Sequence, residues 1–154
     1  MIIEPLDLAD SRIAAEVLQV QRAAYAVEAE LIGSRAIPPL HETVERLQAR
    51  PEHFLGIRDT DGLAAFVAWQ RLADGTLDVC RLAVAPRAFR RGYASALLDA
   101  LDEHVPATRT IVSTGTANEP ALVLYRRRGF VDTDITEVLP GLSITTLQRQ
   151  RRLC

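Results

Sequence analysis

Two stretches hold residue types whose spacing could do chemistry. The first is Pro86–Leu98, PRAFRRGYASALL. Arg87, Arg90 and Arg91 crowd a turn, Gly92 and Ala94 follow, and an apolar run with helical spacing begins. The first N–H groups of a helix lack internal partners and carry partial positive charge. An anion set there meets several donors at once. Gly92 and Ala94 keep that backbone approachable, because large side chains would block it. The stretch reads either as a pyrophosphate cradle or as a solvated basic turn before an ordinary helix. Neither GxGxxG nor GxxxxGK[ST] occurs, so the stretch suggests neither a dinucleotide fold nor a P-loop. The second stretch is Asn118–Phe130, NEPALVLYRRRGF. Tyr125 shares one side of the predicted helix with Ala121 and Leu122, which by itself describes an amphipathic core aromatic.

Both stretches must be held by a framework, and the sequence outlines one. MIIEPL reads as a short strand. Asp10 or Ser11 can cap a helix running to about Ile32, with Ile13, Val17, Val20, Ala24 and Val27 at helical spacing and Gly33 as its stop. GSRAIPPL is a loop, since its prolines suit neither a helix interior nor a central strand. HETVERLQARP predicts a short second helix ending before Pro51. HFLGIRD and LAAFVAWQRL are strand-like, with Asp61-Gly62 a hairpin signal between them. After Asp74-Gly75, TLDVCRLAVAP is a third such run, closed by Pro86. Gly92 to Val105 is a helix with Leu97, Ala100, Leu101 and His104 on one side. TRTIVSTG is a β-branched strand. Asn118 can cap a helix that tolerates Pro120 and ends at Gly129. VDTDITEVLPGLSITTLQ predicts two final strands around Pro140-Gly141. This order predicts one α/β (α+β) domain over residues 1–154. The two stretches sit at successive strand-to-helix turns, and a ligand can lie between such turns outside the carboxyl ends of the strands.

Composition narrows the function classes. The chain has 154 residues, 48% hydrophobic and 25% charged, which suits a globular domain with one core. A net charge of −2 argues against a nucleic-acid backbone as main partner. The acidic start shows no leader pattern, no apolar run reaches membrane-spanning length, and Cys80 and Cys154 make no disulfide framework; a cytoplasmic protein is expected. All 18 basic residues are arginine. Schiff-base and P-loop lysine chemistry are therefore excluded. No His, Cys and carboxylate spacing resembles a metal site.

Taken together, RLAVAP, FRRGYASALL and N-x-x-A-x-x-x-Y-x-x-x-GF resemble the GNAT superfamily of acetyl-CoA-dependent N-acetyltransferases. The resemblance is sharpest from Thr76 to Phe130 and follows the element order of the whole chain. It implies a mixed, mostly antiparallel central sheet of six or seven strands flanked by about four helices. Acetyl-CoA is the implied co-substrate, with no metal. Leu82, Ala83 and Val84 would bind the pantetheine arm through the backbone. The loop of Arg87, Arg90, Arg91, Gly92, Tyr93, Ala94 and Ser95 would bind the pyrophosphate, and Asn118 would contact the cofactor. Tyr125 would act as general acid near the thioester sulfur. The family's loop often begins with Gln or Arg, where this chain has Phe89, so Arg90 or Arg91 is left to supply that polar contact.

Direct transfer needs no nucleophilic residue, so Cys80 is expected as a buried strand cysteine. Asp78 is the candidate base, alternating with Cys80 and Leu82 on one expected sheet face. Tyr25, Glu28, Glu30 and His41 flank the region that often walls the acceptor site in similar proteins, and are candidate substrate-binding residues. His53 and His104 read as structural. The acceptor would be a small-molecule or peptide amine. No nucleic-acid or membrane partner is implied, and a homodimer is common among similar proteins. Two other readings compete: a non-catalytic acyl-CoA sensor on the same fold, and a small nucleotide- or nucleic-acid-binding domain using the arginine clusters.

Overall fold

The computed structural model describes residues 2–33 and 41–152. Local signals set most element boundaries. Asp10 caps α1 (Ser11–Ile32) by accepting the Arg12 N–H at 2.9 Å, and Gly33 ends it at φ 72° with its N–H on the Ala29 carbonyl. Thr43 caps α2 (Val44–Gln48). α3 (Tyr93–His104) begins after Gly92, and α4 (Glu119–Arg127) after Asn118. Gly129 follows α4 at φ 91°, a conformation that a Cβ would penalise. The expected loop GSRAIPPL lies outside the described residues after Gly33, as does Cys154.

Seven strands form one sheet: β1 (Ile2–Pro5), β2 (His53–Asp59), β3 (Gly62–Arg71), β4 (Leu77–Val84), β5 (Arg109–Gly115), β6 (Val131–Leu139) and β7 (Leu142–Gln150). Their spatial order is β1-β2-β3-β4-β5-β7-β6. Every neighbouring pair is antiparallel except β4 and β5. This is the mixed, mostly antiparallel sheet with four helices that the sequence resemblance implies. The consecutive run from Leu63 to Trp69 is buried throughout, as a central strand covered on both faces requires. On one face Val67 and Val79 pack with Leu97, Leu101, Leu122 and Phe130 from the α3–α4 side. On the other, Phe66, Ala68 and Ala83 pack with Val17, Leu18 and Leu47 from the α1–α2 side. His104, on the same side of α3 as Leu97 and Leu101, is exposed at its last turn. No described helix is long and apolar enough to cross a membrane.

Two irregularities in β4 create the site. Ala68 pairs with Arg81 but Trp69 pairs with Val79, so Cys80 is an extra, bulged residue. Also, β4 pairs with β5 only from Leu77 to Val79, opposite Thr110 to Val112. Past Val79 the two parallel strands separate, and residues up to Val84 have no β5 partner.

Candidate active site

The separation of β4 from β5 opens a cavity of about 500 Å³ at the carboxyl ends of both strands. Leu82, Ala83 and Val84 of β4 form its floor. The turn before α3 closes one end, α4 a second wall and α1 the opposite wall. A smaller cavity of about 70 Å³ lies in the gap itself, between Val79–Leu82 and Val112–Thr114, and Tyr25, Glu28, Asn118 and Tyr125 line both spaces.

At the loop end, Pro86–Ala88 form a single 3₁₀ turn and Arg90 takes φ 65°. Gly92 takes φ 76°, and no side chain caps α3. The first helical bond runs from the Ala96 N–H to the Gly92 carbonyl, so the N–H groups of Tyr93, Ala94 and Ser95 lack helical acceptors. A Cβ built on Gly92 would meet nothing within 4 Å, so open space lies over this helix start. Arg90, Phe89, Gly92, Tyr93, Ala94 and Ser95 all line the cavity.

The three arginines divide. Arg90 faces the cavity, whereas Arg87 donates to Asp59 at 2.7 Å and to the Leu63 carbonyl at 3.1 Å. Arg91 lies 3.7 Å from the same aspartate. Its bond from Arg87 holds the Asp59 carboxyl below the usual range. Arg87 and Arg91 thus brace the turn against the β2–β3 hairpin, outside the residues that line the cavity.

At the far end, Tyr125 is 5% exposed and its ring meets Phe130 edge-on, with centroids 5.6 Å apart. Burial, then the charges of Tyr25 and Glu28, push its phenol well above the usual tyrosine value. Tyr25 faces it from α1, half-buried, with a backbone hydrogen bond from Leu82; burial and Glu28 raise its phenol too. Asn118 caps α4 by accepting the Ala121 N–H at 3.4 Å, and its amide donates to Thr114 Oγ1 at 3.4 Å. Thr114 in turn donates to Glu28 at 3.4 Å. Burial raises the Glu28 carboxyl, while bonds from Asn118, Gly115 and Thr114 oppose that rise.

Asp78 does not share the face expected of it. The bulge at Cys80 reverses the alternation, so Asp78 sides with Arg81 and Leu82 with Val79. Asp78 sits opposite Ile111, where β4 and β5 are still paired, and accepts from Gln70 at 3.2 Å. It lines neither cavity around Tyr125. Cys80 is half-buried rather than buried, and its thiol is pushed up to about 12 by burial and by the charges of Asp78 and Glu52. Glu30 is exposed on α1, and His41 lies before α2; neither lines the site cavities. Among the described residues no group of three or more His, Cys, Asp or Glu could hold a metal ion.

A family model described as the acetyltransferase (GNAT) domain matches residues 50–132. This chain belongs to the GNAT acetyltransferase family. The matched segment runs from just before β2 to the start of β6 and contains the β4–β5 gap, the uncapped start of α3 and Tyr125. Over 145 residues the chain is 36% identical to the UPF0157 protein YqkA of Bacillus subtilis (strain 168), covering 94% of this chain and 42% of that protein. The chain therefore spans less than half the length of that relative. Among solved structures it superposes on the Escherichia coli ribosomal-protein-S18-alanine N-acetyltransferase with TM-score 0.76, at 17% identity, over 99% of this chain and 95% of the other. It superposes equally on the PaiA N-acetyltransferase of Thermoplasma acidophilum, solved in complex with coenzyme A, with TM-score 0.76 at 16% identity over 98% and 100%. These likenesses share the GNAT fold with the present chain.

Sequence reasoning did not single out the α1 wall of Ala24, Val27 and Leu31, nor Thr114. It also missed a buried ion cluster behind β4. Arg81 donates to Glu42 at 2.6 Å, to Glu52 at 2.8 Å and to Gln21 at 2.9 Å, with all three charged side chains nearly solvent-free. One signal was present: an arginine inside the apolar run VCRLAV must find carboxylates if it is buried. The cluster ties β4 to α1 and to the segments on either side of α2, and so holds the α1 wall over the gap.

Proposed function

We propose that residues 1–154 form one N-acetyltransferase domain, which moves the acetyl group of acetyl-CoA directly to a primary amine. The observation that carries the reading is a single continuous cavity, in which an uncapped helix start, the unpaired edge of β4 and the buried Tyr125 succeed one another. The residues present fit coenzyme A. Open space over Gly92 gives a pyrophosphate access to the N–H groups of Tyr93, Ala94 and Ser95, with Arg90 as the adjacent cation. Phe89 at the cavity rim offers an apolar surface and no hydrogen bond. The edge of β4 from Leu82 to Val84 supplies backbone groups for the amide-bearing arm. Asn118 lies where the arm would pass toward Tyr125.

For the transfer itself, a neutral amine attacks the thioester carbonyl and the C–S bond breaks. Backbone N–H near Leu82 would stabilise the developing oxyanion. Tyr125 protonates the departing thiolate, and its raised phenol keeps that proton in place across the neutral range. The acceptor enters from the α1 side, past Tyr25 and Glu28.

The test is to incubate the chain with acetyl-CoA and a panel of small amines, aminoglycosides, amino acids and peptides with free N-termini, following release of free thiol. Amine-dependent thiol release with an acetylated product is the expected result. Tight CoA binding with no turnover across the panel would instead make the domain an acyl-CoA sensor. Binding of ATP or DNA without CoA binding would remove the reading altogether.

A further inference from the structure

Amines are protonated at neutral pH, and an ammonium has no lone pair to attack with. Acetyl transfer therefore requires a group in the site that removes a proton. The buried or half-buried carboxylates near the sheet are mostly committed elsewhere. Glu4 and Glu16 are held by Arg58, and Glu42 and Glu52 by Arg81. Asp78 sits in the paired part of β4, away from Tyr125. Glu28 differs from all of them. It lines both cavities, opposite Tyr125, and among the described residues no arginine pairs with it. Its contacts are to uncharged donors, with Thr114 Oγ1 at 3.4 Å.

We infer that Glu28 is the base that takes the proton from the acceptor ammonium, a role no sequence motif assigns it. The inference rests on the acetyl-transfer reading above and adds the missing half of its proton traffic. The ammonium N–H bond breaks and its proton goes to the Glu28 carboxylate, then to solvent. The freed lone pair forms the C–N bond and the C–S bond breaks. Tyr125 gives its proton to sulfur and recovers one from the nitrogen, which becomes the amide. No oxidant or further reactant is needed.

The surroundings suit that task. The titratable groups lining the smaller cavity with Glu28 are Tyr25 on α1, Tyr125 on α4, and Cys80 and Arg81 on β4, and the larger cavity adds Arg90 and Tyr93 at its loop end. The phenols of Tyr25 and Tyr125 stay neutral through the physiological range, as does the thiol, and Arg81 is occupied by Glu42 and Glu52. An incoming ammonium thus meets one carboxylate free of any described ion pair. Burial lifts that carboxyl toward neutrality, which makes it a stronger proton acceptor than an exposed glutamate.

The test compares two near-isosteric acceptors, 2-phenylethylamine, which is charged at pH 7, and O-benzylhydroxylamine, which is neutral there. Only the first needs a base before it can attack. Glu28→Gln should lose about 100-fold more kcat/KM with 2-phenylethylamine than with O-benzylhydroxylamine. Glu28→Asp should recover part of that difference, and CoA affinity measured by calorimetry should show that the variants are folded. Equal losses with both amines, or no loss with either, overturn the inference. So does a selective loss in Asp78→Asn that Glu28→Gln lacks. If the wild-type chain binds CoA yet acetylates neither amine nor any in the panel, the acetyl-transfer reading has failed and Glu28 falls with it.

Discussion

Replacing Tyr125 by phenylalanine separates chemistry from folding. The ring is 5% exposed and packs edge-on against Phe130, and both features survive in phenylalanine. Among the described residues, the buried side-chain polar atoms without a partner are Arg128 Nε and Arg149 Nε. Tyr125 lines the cavity and no described residue hydrogen-bonds to its hydroxyl, so the removed oxygen leaves no described partner stranded. Stability should change by no more than about 0.5 kcal/mol. Tyr125→Ala, by contrast, would empty a ring-sized hole and cost about 3–5 kcal/mol, confusing the two effects. Loss of a positioned general acid should slow turnover by about 10²–10⁴-fold, which is roughly 3–5 kcal/mol of barrier. The assay is free-thiol release at saturating acetyl-CoA, with calorimetry for CoA affinity and thermal melting for the fold. The wild type should also show no falling alkaline limb in kcat below about pH 10, because burial holds the phenol above its ordinary value. An unchanged kcat in Tyr125→Phe, with fold and affinity intact, would refute the acid role.

Gly92→Glu should weaken CoA binding at least about tenfold, since it sets bulk and negative charge at an uncapped helix start and forces a side chain into φ 76°; unaltered affinity by calorimetry would mean that the α3 start holds no phosphate. Arg81→Ala should destabilise the fold by about 3–5 kcal/mol in denaturant titration, because Glu52 would be left buried without its cation and Glu42 with only the more distant, exposed Arg50 at 3.5 Å. Adding Glu52→Gln to that variant should restore part of the loss. Glu28→Gln should melt higher than wild type at pH 7. A carboxyl whose folded pKa is raised contributes most favourably below its unfolded value near 4, and that contribution is lost as pH rises through the folded value. The difference in melting temperature should therefore shrink toward zero as pH falls to about 4.

What was legible in the sequence was local. Asp10 and Asn118 cap the helices they were expected to cap, and Gly33 and Gly129 end theirs in the left-handed region, because capping and glycine conformation depend on a few neighbouring residues. Tyr125 and the Gly92 turn were legible as a pair because consecutive strand-to-helix turns at one sheet end must converge. What escaped was set by partners far along the chain. Glu42, Glu52 and Gln21 meet Arg81 across separations of 39, 29 and 60 residues. The apolar run VCRLAV marks Arg81 as in need of carboxylates, but nothing local says which ones; the run of Arg87, Arg90 and Arg91 is the more conspicuous, although Arg87 is held by Asp59.

The position of Asp78 shows how a one-residue irregularity changes which side chains share a sheet face. Strict alternation puts Asp78, Cys80 and Leu82 on one face, and a base on that face would look toward the same space as the β4 edge. The extra residue at Cys80 turns the two halves of β4 opposite ways, so Asp78 sides with Arg81 while Leu82 sides with Val79. The same irregularity falls where β4 leaves β5. A strand that stayed in register would keep its edge paired and offer a ligand nothing. Asp78 stays outside both cavities because it lies on the still-paired side of that opening, opposite Ile111. The carboxylate that reaches the opening comes from α1 instead, across a gap that only the folded sheet defines.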